Sequence, residues 1–141
     1  MKTKTKFIII TIIFAAIAFS LSRVIWPDTG MGMPAPSAAQ LPFFIFLSVL
    51  EAVAFGIGVA FLTLGWKHIK ALMPEDNKGA MASFIAITWL LVSWWPHDNM
   101  HRVNGENLAG LLKIEYTFHF TLILASLVLA YYFWKRVSKI S

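Results

Sequence analysis

The chain has 141 residues, of which 58% are apolar, 15% aromatic and only 13% charged. A soluble domain carries about 25% charged residues, so the charges are too few to cover a water-facing surface, and the composition implies an integral membrane protein. The net charge of +5 gathers at the chain ends and in one loop, a pattern of membrane orientation and not of nucleic-acid binding. The absence of cysteine excludes disulfides, thiolate metal sites, iron–sulfur clusters and thioether-linked haem.

Four apolar runs follow one another. A membrane span needs about 20 residues, with about 17–25 tolerated. The expected fold is therefore all-α: one domain, residues 1–141, forming a bundle of four transmembrane helices. The first span is expected over 7–26. Its basic leader "MKTKTK" and the "AIA" at 16–18 also suit a signal peptide. Apolar residues continue to Trp26, however, which favours a retained helix. The connection that follows, "PDTGMGMPAPSAAQLP", is rich in proline and is expected to be ordered without helix.

The second span is expected over 41–66. Ala52, Gly56 and Ala60 recur at intervals of four, with Gly58 nearby, a small-residue ridge that lets helices approach closely. A short polar turn follows, in which Pro74 and Glu75–Asp76–Asn77 suit entry into the next helix. The third run, 80–95, is short by itself. It reaches span length as 79–97 by extending toward Lys78 and through Pro96. The fourth span is expected over 111–134. Trp26, Trp66, Trp94, Trp95, Tyr131, Tyr132 and Trp134 stand at the ends of these runs, as an aromatic belt at headgroup depth requires.

Orientation follows from the basic residues. Lys2, Lys4 and Lys6, then Lys67, Lys70 and Lys78, then Lys135, Arg136 and Lys139 occupy alternate ends of successive spans. Both termini are accordingly expected in the cytoplasm, with the first and third connections outside.

Ionisable residues at membrane depth are costly and face protein or water. Glu51 lies about 15 Å into the second span, counted from Leu41 at about 1.5 Å per residue. His119 lies about 12 Å into the fourth span, counted from Leu111 on the same side. A Glu51–His119 contact is expected from these matching depths. Glu115 precedes His119 by four residues and shares its helix face. In "WWPHDNMHR", His97 and His101 are also four apart. If Pro96 opens a short helical turn, their rings share one face, with Asp98 beside them.

The expected site is an outward-opening metal pocket built from His97, Asp98, His101, Glu115, His119 and Glu51. Helix bundles build metal sites from paired histidines and carboxylates of this kind, and copper, zinc and iron accept nitrogen–oxygen sets. Haem b is the weaker candidate, because only His119 lies at suitable depth. Met31, Met33 and Met100 fall on the same side and would favour copper(I). The competing reading is structural: Glu51 pairs with His119 to fix helix register, and Glu115 pairs with Lys113 or Arg102.

These residues carry three functional expectations. The first is a small membrane protein with a transition-metal site, acting as an accessory or redox subunit of a membrane complex. The second is an assembly subunit without cofactor, and the third a proton or small-solute pathway through Glu51 and His119. Partners are the lipid bilayer and either other membrane proteins or further copies of the chain. No motif points to an enzyme class, although a metal with an open position can activate water.

Overall fold

The computed structural model of the chain describes residues 2–27, 35–105 and 107–138. The described residues are helical, with no strand among them. Helix α1 spans Thr3–Ile25 and α2 spans Leu41–Leu64. The short α3, Trp66–Leu72, leads into α4, Asn77–Val92, and α5, Trp94–Asn104. Helix α6, Leu108–Ile114, runs through a π-turn, Glu115–His119, into α7, Phe120–Val137.

Three uninterrupted stretches are long and apolar enough to cross a membrane: Thr3–Ile25, Leu41–Leu64 and Leu108–Val137. A fourth arises if α4 and α5, bent by 43° at their junction, count as one. The bend has a local cause. Pro96 lacks the N–H that would bond the Val92 carbonyl, and its ring crowds that carbonyl. The expected straight extension through Pro96 is thus replaced by a kink at Ser93. The expected short turn beyond it is an eleven-residue helix. Gly105 ends that helix at φ 52°, a conformation that side chains with a Cβ rarely adopt.

Among the described residues the principal pairings of long helices are α1 with α2, α2 with α4, and α4 with α7. Among the described residues the long helices therefore follow one another in a row. The small-residue ridge of α2 explains the row, because it serves two neighbours. A Cβ on Gly56 would sit 2.3 Å from the Thr11 carbonyl oxygen of α1, and one on Gly58 would meet Val92 of α4 at 2.5 Å.

A row buries little. In the three apolar stretches only 11–22% of the most hydropathic window is buried, and large side chains such as Phe43, Ile12 and Leu127 are 60–71% exposed. Apolar faces of this extent mark contact with lipid or with other proteins. Together with the helix lengths, they make this a helical protein suited to a membrane.

The row has two distinct ends. At one, Lys135 pairs with Asp76 at 2.8 Å, and Asp76 also caps α4 by accepting from the Gly79 N–H. Arg136 donates to the Leu72 carbonyl at the same end. At the other end α5 packs along the middle of α2 and the last turns of α1. There Trp95 is buried, edge-on to Trp26 at 4.8 Å and beside Phe55 at 4.7 Å, and its indole N–H donates to Ser22 Oγ at 2.7 Å. Trp95 is thus a core residue and not the belt residue expected from its place at the end of a run.

Candidate metal centre

Helix α5 carries His97 and His101 one turn apart, and the π-turn carries His119 toward them. His97 Nε2 lies 2.7 Å from His119 Nε2 and 3.1 Å from His101 Nε2. One ring nitrogen from each of the three lies within 4.8 Å of the others, close enough for the trio to hold a metal ion. All three are half-buried.

Proton counting shows what this convergence lacks. Each imidazole nitrogen carries in its plane either one proton or one lone pair. His97 Nε2 touches two other nitrogens, so its single proton or single lone pair can satisfy only one of them. The second contact is left with, at best, a bent share of that same proton or lone pair. A cation between the rings satisfies all three lone pairs together. A tetrahedral ion bound at about 2.0–2.1 Å spaces its nitrogens about 3.3–3.4 Å apart, so the two short contacts would open by about 0.2–0.7 Å, while the third pair already lies within 4.8 Å.

Glu115 completes the arrangement from behind. Its Oε2 lies 2.8 Å from His119 Nδ1. This carboxylate accepts a proton from Nδ1 and so leaves the Nε2 lone pair free to face the cluster. A carboxylate behind a ligating histidine fixes the tautomer and ring direction and raises the basicity of the ligand. The π-turn that joins Glu115 to His119 is closed by the Phe120 N–H bonding the Glu115 carbonyl. Such bulges occur mostly as single turns at functional sites.

The surroundings hold the rings in place. Phe118, 5% exposed, lies edge-on to His97 at 5.5 Å and stacks on Trp89 at 6.0 Å. Trp89 donates across the helices to Thr121 Oγ1 at 2.9 Å, which ties α4 to α7 beneath the cluster. Trp94 flanks His97 edge-on at 5.8 Å. Helix α5 is locked to α1 by its opposite face. Asn99 Nδ2 donates to the Trp95 carbonyl at 2.7 Å, and Arg102 donates to Asn99 Oδ1 at 2.8 Å and to the Trp26 carbonyl at 3.3 Å.

Of the six residues expected to form the site, three converge and a fourth supports them. Glu51 and Asp98 stand apart. Glu51 and Asp98 are neighbours, and neither belongs to the converging trio. The expected Glu51–His119 contact is not formed, since both nitrogens of His119 are engaged by Glu115 and His97. Two facts of packing account for this. Helix α5 stands between Glu51 and His119, with Asp98 beside the first and His97 against the second, and Asp98 points off the side of α5 adjacent to the one that carries His97 and His101.

Glu115 pairs with His119 and not with Lys113 or Arg102. Met31, Met33 and Glu106 lie outside the described residues. The hydroxyls of Thr88, Ser93 and Ser126 bond back to carbonyls of their own helices, as polar groups in apolar helices commonly do.

The features missing from the sequence reading are the Trp89–Thr121 tie, the Phe118 wall and the Trp95–Ser22 anchor. One sequence signal pointed to the first. A tryptophan inside an apolar run needs an acceptor for its N–H, and Thr121 is the hydroxyl that supplies it. Comparison with known protein families, with curated proteins and with solved structures finds no match to this chain.

Proposed function

We propose that this is a multi-pass membrane protein that holds one transition-metal ion on the imidazoles of His97, His101 and His119, with Glu115 orienting His119 and one coordination position open. The observation that carries the reading is the convergence of three imidazole nitrogens, whose mutual contacts a single proton or lone pair on His97 Nε2 satisfies poorly. Structural zinc sites close all four positions with protein ligands, whereas reactive ones keep three and leave a fourth open. Three ligands and partial exposure fit the second pattern. Imidazole sets suit zinc, copper and iron. A haem iron takes its axial ligands from opposite faces of a macrocycle, whereas these three nitrogens converge on one point, which favours a bare ion over haem b.

The basic residues support a topology with both termini cytoplasmic and the metal site in the outer half of the spans, opening to the extracytoplasmic side. The bent α4–α5 pair then serves as the third span. In this setting the metal would give an accessory or redox role within a membrane complex. Elemental analysis of the protein purified in lipid nanodiscs tests the reading. About one equivalent of zinc, copper or iron is expected, together with its loss in His119→Ala. No metal above trace after incubation with each of these ions would overturn it.

A further inference from the structure

The cluster is continuous with a groove on the flank of α7. Leu90 and Trp94 form one wall, and His119, Ile123, Leu127 and Ala130 form the other. The groove is open along most of its length and measures about 590 Å³. From His119 to Ala130 it runs about 16 Å at the helix rise of about 1.5 Å per residue. Its open side lies along Ile123 and Leu127, both about 60% exposed, on a surface suited to lipid.

Chemistry along the groove is graded. The lining below His119 is apolar apart from Ser126, whose hydroxyl is turned back onto the Leu122 carbonyl. At the head stands His119, shared with the metal cluster. Three neutral imidazoles bring no charge to a divalent ion, and the nearby carboxylates, Asp98 acting on His97 and Glu115 behind His119, are not among the converging ligands. An anionic oxygen at the open position would be the only charged ligand of the ion. A polar, cationic head joined to a long apolar channel matches an amphiphile of the opposite design.

Resting on the metal reading above, we propose that the site takes a membrane-dissolved long-chain carboxylate, with its carboxylate on the open metal position and its tail along α7. Access is sideways from the bilayer, so the molecule reaches the metal without crossing water.

Cobalt(II) loaded in place of the native metal reports ligation through its visible spectrum. In nanodiscs, dodecanoate is expected to change that spectrum at about a hundredfold lower concentration than acetate, because tethering in the membrane raises effective concentration. Partition into lipid alone would give part of this advantage, and Leu127→Trp separates the two sources. It fills the groove two turns from His119 and leaves partition unchanged. The variant should keep the cobalt spectrum of the unliganded protein but need about tenfold more dodecanoate. Equal response to acetate and dodecanoate, or a full dodecanoate response in Leu127→Trp, would overturn the proposal while leaving the metal reading intact. Failure to take up cobalt at all would overturn both.

Discussion

Replacing Glu115 by glutamine tests the metal centre without touching a ligand. The side chain keeps its length and an acceptor oxygen, so a hydrogen bond from His119 Nδ1, now at 2.8 Å, can persist. What disappears is the negative charge that makes the imidazole a better donor to the metal. Removing the partner of a ligating histidine costs about 10–100-fold in metal affinity. Glu115 has a side chain 56% exposed, so solvent screens part of its effect, and glutamine preserves the geometry. Both points place Glu115→Gln near the lower bound, about tenfold, or about 1.4 kcal/mol. Glu115→Ala loses the geometry as well and should approach a hundredfold. The assay is a competition titration against a chromophoric chelator, in nanodiscs, with helix content checked by circular dichroism. Affinities for both variants within twofold of wild type would refute the role of Glu115, and with it the reasoning that this carboxylate sets the tautomer of His119.

Other outcomes follow from the same geometry. His97→Ala and His101→Ala should each retain less than about a tenth of the bound metal, since a dicoordinate remnant binds weakly. His68→Ala, at the basic end, should retain all of it, with elemental analysis as the readout. Metal affinity should fall as the pH is lowered, since all three ligands are imidazoles. Protons compete for the same lone pairs, so the loss lies on the acid side, and a titration showing constant affinity down to about pH 4.5 would contradict imidazole ligation. Gly56→Ala pushes a methyl against the Thr11 carbonyl at a backbone contact that cannot yield. It should destabilise the protein by about 1–3 kcal/mol, seen as a lower unfolding midpoint, and an unchanged midpoint would count against the close α1–α2 packing. Trp95→Ala should cost about 3–5 kcal/mol, measured in the same way, because it empties the junction of α1, α2 and α5 and leaves Ser22 without its indole donor.

Hydropathy and residue spacing alone were enough to reveal a helical protein with membrane-length apolar segments. Burying about 20 apolar residues in lipid is a property of composition and length and needs no knowledge of neighbours. The i,i+4 relations of His97 with His101 and of Glu115 with His119 were legible for the same reason, because helix periodicity is local. The small-residue ridge of α2 was legible as a packing face, although its division between α1 and α4 was not.

Tertiary structure decided the rest. Matching depths brought Glu51 and His119 together on paper, but depth is one coordinate of three, and α5 stands between them, with Asp98 beside Glu51 and His97 against His119. The kink at Ser93, caused by a single missing N–H, swings α5 so that His97 faces α7 while Asp98 meets Glu51. The π-turn changes the direction of His119 through backbone hydrogen bonding that no pattern of side chains specifies. Six polar residues at suitable spacing thus resolve into a three-imidazole cluster with one supporting carboxylate, and a separate pair of acids. The difference arises because spacing sets which face of a helix a residue occupies, whereas the order of helices in the row sets which faces meet.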